Sequence, residues 1–392
     1  MTPSLKNATP IGHASLITSK IFSMILEPLI VPAHPNEILD ELEAAIAGER
    51  CYLPVPPNDQ LLSRTLKAGQ PIDDDIALVV ATSGSTGTPK GALLTAANLV
   101  SSADATHQYL GGEAQWLLAM PGYHIAGIQV LIRSLIAGYD PLILDVSHGF
   151  NISEFARIAN TLDDTTYTSL TPMQLLKAMD TLEGIESLRR FAAILVGGAP
   201  LRADDLRAAK ELGINVVTTY GSSETSGGCV YNGRPIPGAK VRVVGERIHL
   251  GGPMVARGYR NGEEFGDWFI TSDTGTITDG VLTVTGRVDT IIDSGGLKIH
   301  PEILEQQILS VRGVSGVCVV GVPDRRLGQA IVAAYEGSAH PTEIITALDD
   351  LPRWQLPKDI RRVDQLPLIG PGKVNRQAVL KMFDTSISHR GA

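Results

Sequence analysis

The chain is 392 residues long, 43% hydrophobic and 19% charged, which calls for more than one hydrophobic core. A formal net charge of −9 argues against nucleic acid as a partner, since a phosphate backbone selects clustered cations. Cys51, Cys229 and Cys318 are widely spaced and odd in number; they make neither a disulfide framework nor a metal pattern and fit a reducing, cytoplasmic setting.

In chain order, residues 1–75 read as a few short elements. The apolar stretch 17–31 is interrupted by Lys20, Glu27 and Pro28. It is too short and broken for a membrane span and lacks the basic start of a signal peptide. A helix is expected from Pro35 through Leu39, Leu42 and Ala45, and the three prolines within 54–59 mark a loop. An apolar run at 76–80 reads as a strand. Further strands are predicted at 92–95, 116–120, 141–144, 167–170, 192–196 and 216–220, with helices at 96–109, 128–137, 155–162, 172–179 and 204–212. This alternation predicts a mainly parallel sheet covered by helices on both faces. From Ala239 the period becomes two, at 240–244, 247–250 and 281–284, which predicts a small antiparallel sheet or distorted barrel. Beyond Asp289 a third texture begins, with helices at 302–310 and 341–348 and strands at 317–322, 330–335 and near Ile360. The expected fold class is α/β: a large N-terminal domain, 1–286, with mainly parallel sheets flanked by helices plus a small β subdomain, then an α+β C-terminal domain, 287–392.

The segment Thr82-Ser83-Gly84-Ser85-Thr86-Gly87-Thr88-Pro89-Lys90-Gly91 holds three glycines, five hydroxyls, a proline and a lysine. Glycines admit close backbone approach, successive N–H groups form an anion nest, and the lysine neutralises charge, so the composition suits a polyphosphate. It is not a Walker A loop, because Gly91 rather than Ser or Thr follows Lys90. Other segments are bland when taken alone. His124, in Pro-Gly-Tyr-His-Ile-Ala-Gly, could be a structural histidine. Gly197-Gly198-Ala199 could be a plain strand-to-helix turn. Glu224, in Tyr220-Gly221-Ser222-Ser223-Glu224, Asp273, Arg287 and Asp289 could be solvated charges. Gly295 lies in Ser-Gly-Gly-Leu-Lys-Ile-His-Pro-Glu302, and the Gly-Lys pair of Lys373, in Pro367-Leu-Ile-Gly-Pro-Gly-Lys-Val-Asn-Arg376, says little in isolation.

Taken together and in this order, over residues 76–376, these segments resemble the motifs of the adenylate-forming superfamily of acyl-CoA synthetases, luciferases and peptide-synthetase adenylation domains. The resemblance implies that Thr82, Ser83, Gly84, Ser85, Thr86, Gly87 and Lys90 grip the ATP triphosphate, and that Glu224 holds Mg²⁺ on the phosphates. It implies an adenine site at Gly198, Ala199, Tyr220, Gly221 and Ser223, and a ribose site at Asp273 and Arg287. His124, Gly197 and Ser222 would line the acyl pocket, and Gly295 the path of the CoA thiol. Lys373 would be the catalytic lysine of a mobile C-terminal domain turning on Asp289. The implied reaction adenylates a carboxylate with ATP and then transfers the acyl group to CoA. Three departures stand out: Ser222 replaces a more usual methionine, Ser272 a glycine and Ala126 a serine.

Within the superfamily, the compact length and the segments Tyr-His-Ile-Ala-Gly, Thr168-Ser-Leu-Thr-Pro-Met-Gln-Leu175 and Thr219-Tyr-Gly-Ser-Ser-Glu-Thr-Ser-Gly-Gly-Cys-Val-Tyr-Asn-Gly233 look like the o-succinylbenzoate–CoA ligases of menaquinone biosynthesis, actinobacterial type. Such an acid has a second carboxylate, which needs a cation if buried; Arg133 and Lys177 are the candidates. Rival readings are another aryl- or acyl-CoA ligase, a carrier-protein adenylation domain, and a nucleotide-binding module without turnover. The oligomeric state, a homodimer included, is left open.

Overall fold

The computed structural model describes residues 24–82, 89–163, 165–369 and 373–384. Ser83, Gly84, Ser85, Thr86 and Gly87, expected to grip the triphosphate, lie outside the described residues. The frame of the molecule is a seven-stranded sheet. Five of its strands are parallel neighbours, in the order Leu142–Ile143, Gln115–Leu118, Thr166–Leu170, Ala193–Val196 and Val216–Ser222. Gly227–Tyr231 and Arg234–Pro235 continue the sheet antiparallel. Side chains of alternate parity go to opposite cores, as the pleat requires. Trp116, Leu118, Tyr167, Leu195 and Val217 meet the apolar face of helix Ile125–Ala137. Leu117, Leu170, Ile194 and Val196 meet helices Ile152–Ala159 and Pro172–Met179. Burial on both faces explains why Ala193–Val196 reads as an unbroken apolar run, whereas the equally buried Thr166–Leu170 carries hydroxyls, that of Thr168 donating to the Leu117 carbonyl at 2.9 Å.

The helix ends follow local chemistry. Thr95 and Asn98 form a reciprocal capping box that starts Ala96–Leu110, and Thr171 and Gln174 do the same for Pro172–Met179. Helix Ile125–Ala137 stops at Gly138, whose φ of 69° is the left-handed terminator. A short helix not expected from sequence, Leu182–Leu188, is started by the Thr181 side chain.

A second sheet is built on the parallel strands Met24–Ile30, Cys51–Val55 and Ile76–Thr82, with Lys90–Thr95 returning antiparallel beside the last. Pro54, expected in a loop, lies in the fully buried strand Cys51–Val55. It pairs only with Leu29; the ladder to Ile76–Thr82 is confined to Tyr52 and Leu78, so the missing N–H is not needed there. The period-two region forms a four-stranded antiparallel sheet, Lys240–Val244, Arg247–Gly251, Trp268–Thr278 and Val281–Arg287.

The C-terminal sheet centres on the long antiparallel pair Val314–Asp324 and Gly328–Gly337, extended by Ile292–Ser294, Leu297–Ile299 and Asp359–Arg362. Helices Pro301–Leu309 and Arg376–Asp384 pack on it. Its buried clusters begin at Ile292, whereas those of the preceding sheets end at Leu282. Among the described residues, no helix is long and apolar enough to cross a membrane. All three cysteines are buried and reduced.

Candidate active site

Gly197, Gly198, Ala199 and the run from Tyr220 to Glu224 lie at the carboxyl ends of the parallel strands, where an open α/β sheet leaves a crevice for ligands. Gly197 follows Ala193–Val196 directly. A Cβ there would stand 2.2 Å from Thr219 Oγ1, so only glycine lets the two strand ends approach this closely. Gly198 turns with φ 82° into open space, and Ala199 follows. Val216–Ser222 ends in Tyr220, Gly221 and Ser222, and Ser223 and Glu224 form a single 3₁₀ turn beyond it. Ser223 Oγ donates to the Ala81 carbonyl at 3.3 Å, joining this turn to the strand that leads to the phosphate loop. The Ser222 hydroxyl is buried without a hydrogen-bond partner.

One carboxylate organises the outer wall. Asp273 and Arg287 stand opposite each other in the antiparallel pair Trp268–Thr278 and Val281–Arg287. Arg287 Nη1 donates to Asp273 Oδ1 at 3.0 Å, and Tyr220 Oη donates to Asp273 Oδ2 at 2.7 Å. The other edge of the guanidinium makes two 2.8 Å bonds to Asp289, so one cation is shared by two acids. These bonds, those to Asp289 foremost, raise the Arg287 pKa despite burial. Burial, with Asp273 next, raises that of the Tyr220 phenol.

A second carboxylate lies deeper. Glu224 is 7% exposed, and its Oε1 accepts a 2.8 Å hydrogen bond from Tyr259 Oη. The Lys90 ammonium sits over the Tyr259 ring, 4.6 Å from its centroid. Burial, then Glu224, raises the Tyr259 pKa, so the phenol remains a donor. Tyr259 was not picked out from sequence; the only local cue is a Gly-Tyr pair in an irregular segment, and its partners are 35 and 169 residues away in the chain. The described residues contain no group of three or more His, Cys, Asp or Glu side chains that could cage a metal. One buried carboxylate is nevertheless what Mg²⁺ needs when substrate phosphates supply its other ligands, so Glu224 fits that ion.

Lys373 reaches this ensemble from the C-terminal domain. It lies in the small antiparallel pair Leu368–Ile369 and Lys373–Val374. Its side chain has exposed surface, yet protein crowds its ammonium. Desolvation and the Arg287 charge lower its pKa, against the opposing pull of Glu224 and Asp273. His124, at the N-cap of helix Ile125–Ala137 and 4.6 Å from the Tyr123 ring, feels the same lysine. Burial, then Lys373, pushes its imidazole down to about 4, which keeps it neutral at pH 7. His124, Glu224, Asp273 and Arg287 therefore lie within electrostatic reach of Lys373.

The two candidate cations for a second carboxylate are separated. Arg133 is 3% exposed and packs over Trp116 at 4.9 Å, on the sheet face shared with His124. Its Nε is buried without a partner, and it makes no ion pair among the described residues. Gln129, one helical turn nearer His124, also has an unpartnered buried oxygen. Lys177 instead donates to the Phe150 carbonyl at 2.6 Å on the opposite face. The expectation that both flank one pocket is corrected by the parity of the sheet. Gly295 shares with Gly296 the two-residue turn of a hairpin, both at positive φ, and donates to the Leu327 carbonyl; its contacts stay within the C-terminal domain.

The geometry accords with comparisons to known proteins. The family model "AMP-binding enzyme" matches residues 30–260, and "AMP-binding enzyme C-terminal domain" matches residues 304–373. A Mycobacterium tuberculosis protein described as "Probable 2-succinylbenzoate--CoA ligase" is 43% identical over 363 residues, covering 88% of this chain and 95% of that protein. Among solved structures, ATP-bound MatB from Rhodopseudomonas palustris superposes with a TM-score of 0.80 at 22% identity, over 91% of this chain and 88% of the other. The o-succinylbenzoate CoA synthetase MenE from Bacillus subtilis, in complex with the acyl-adenylate intermediate OSB-AMP, gives 0.72 at 23% identity, over 90% and 82%. The chain belongs to the AMP-binding enzyme family.

Proposed function

We propose that the chain is an AMP-forming acid–thiol ligase that converts 2-succinylbenzoate, ATP and CoA to the acyl-CoA thioester, the reaction named for its mycobacterial relative and one that serves menaquinone biosynthesis. That Lys373 lies within electrostatic reach of Glu224, Asp273, Arg287 and His124 carries this reading.

The acid needs no base, because a carboxylate is already ionised at pH 7. Catalysis is therefore positioning and charge stabilisation. Asp273 offers two acceptor oxygens to the ribose hydroxyls, and Arg287 holds it in place. Tyr220 presents its ring to the adenine. Thr82, Lys90 and the loop residues Ser83, Gly84, Ser85, Thr86 and Gly87 receive the phosphates. Mg²⁺, held through Glu224, offsets phosphate charge when bound. Lys373 places its ammonium between the attacking carboxylate and the α-phosphate, and pyrophosphate leaves. Neutral His124 walls the acyl pocket without repelling Lys373. Arg133, buried over Trp116 with no acid paired to it among the described residues, is the cation left for the second carboxylate. In the second step the C-terminal domain turns at Asp289, Lys373 withdraws, and the CoA thiol enters past Gly295 to displace AMP. A panel of carboxylic acids assayed for AMP formation tests the reading; the expected result is a clear preference for 2-succinylbenzoate that depends on CoA for turnover, and equal rates with monocarboxylic aryl acids would refute it.

A further inference from the structure

Glu302 opens helix Pro301–Leu309 and stands where three parts of the chain meet. Its Oε1 accepts from Thr290 Oγ1 at 2.6 Å, and the same hydroxyl lies 3.0 Å from the Arg287 carbonyl across Asp289. That oxygen also takes Arg376 Nη2 at 3.4 Å. Arg376 is fixed in turn by Glu305 at 2.8 Å and by the Val319 carbonyl at 2.7 Å, and it begins the helix that follows Lys373–Val374. The other oxygen, Oε2, is buried without a hydrogen-bond partner and rests on Gly286, as does the unpartnered Nδ1 of His300. A Cβ on Gly286 would come within 2.7 Å of Oε2 and 3.1 Å of that nitrogen. Glutamate ends are ordinarily flexible, but this one is pinned on its far side by Thr290 and Arg376. A methyl group at 286 would therefore displace the Arg376 helix and the lysine before it.

We propose that Glu302 is a positioning residue for Lys373, and that Gly286 is the seat on which it closes. Arg287 follows Gly286 directly on the strand Val281–Arg287, so the same contact registers the lysine against the ribose wall. The inference rests on the ligase reading given above, since it concerns how Lys373 is brought to the α-phosphate.

Full-length Gly286→Ala and Thr290→Val chains provide the test. Pyrophosphate release with 2-succinylbenzoate and no CoA reports adenylation; thioester formation from supplied acyl-adenylate and CoA reports the second step. Misplacing a reacting group by about an ångström costs up to roughly a hundredfold, so adenylation should fall by about ten- to a hundredfold in both variants. The second step and the melting temperature should stay near wild type, and Thr290→Ser should restore adenylation. Thr290→Val leaves Arg376, Glu302 and Glu305 in contact, so it remains informative if Gly286→Ala folds poorly. Unimpaired adenylation, or an equal fall in both steps with a lowered melting temperature, overturns the inference. A wild-type chain that releases no pyrophosphate with this acid overturns the ligase reading and this inference with it.

Discussion

Replacing Tyr259 by phenylalanine removes one oxygen from the site and leaves the ring beneath Lys90. The lost bond is a 2.8 Å contact to Glu224 Oε1, on a residue only 7% exposed. Hydrogen bonds to charged groups are worth about 1.5–3 kcal/mol, and each 1.36 kcal/mol is a decade in rate. If Glu224 acts on the phosphates and their metal, adenylation by Tyr259→Phe should fall by roughly ten- to 150-fold. The Mg²⁺ concentration for half-maximal pyrophosphate release should rise, and the increase in melting temperature caused by Mg²⁺ with ATP should shrink. Tyr259→Leu also removes the cation–π contact, worth about 0.5–2 kcal/mol, and should add a further factor of roughly two to thirty. A phenylalanine variant with wild-type turnover and wild-type Mg²⁺ dependence would show that the bond fixes nothing the reaction uses.

Lys373→Ala should nearly abolish adenylation while slowing thioester formation from supplied adenylate far less; equal loss of both steps would contradict its role. Arg133→Met should raise the KM for 2-succinylbenzoate by about ten- to a hundredfold and leave that for ATP unchanged, whereas Lys177→Ala should leave both within error, as steady-state kinetics on the two variants will show. Acid should destabilise the fold through His107. This residue is buried, accepts a 3.2 Å hydrogen bond from Trp116 Nε1, and is pushed down to about 4 by burial and the nearby Arg133. The folded value lies below the ordinary 6.5, so the unfolded chain takes the proton first. Stability is therefore lost as pH falls below 6.5, by about 2 kcal/mol between pH 7 and 5 and about 3 kcal/mol in all. Denaturant unfolding should show a smaller drop between those pH values in His107→Gln; an identical drop would assign the effect elsewhere.

Much of what local chemistry decides is legible in the sequence, although the Thr181 cap of helix Leu182–Leu188 is not among the expectations. Helix Pro172–Met179 begins and ends as expected because Thr171, Pro172 and Gln174 carry its start in adjacent positions. Strands such as Ile76–Thr82 and Ala193–Val196 are legible because burial makes them apolar runs, whereas the parallel strands Met24–Ile30 and Cys51–Val55, each carrying a proline, are not. Trp268–Thr278 is not legible as a strand, since its polar residues, Asp273 among them, break the apolar alternation along it. The pairing of Asp273 with Arg287 follows from hairpin register, which a list of motifs does not contain. Tyr259 and the contacts of Glu302 arise only when distant segments meet. The opposite fates of Arg133 and Lys177 depend on which sheet face each helix covers, and composition is silent on that.

Arg287 holds Asp273 with one nitrogen and Asp289 with two. A ligand that engages Asp273 changes the competition for that guanidinium, and with it the restraint on the residues leading into the C-terminal sheet. Linkage makes the effect mutual: whatever energy nucleotide occupancy contributes to the posture of that sheet, the posture returns as a change in nucleotide affinity. Product release and domain movement would then be two views of one equilibrium, coupled through a single side chain.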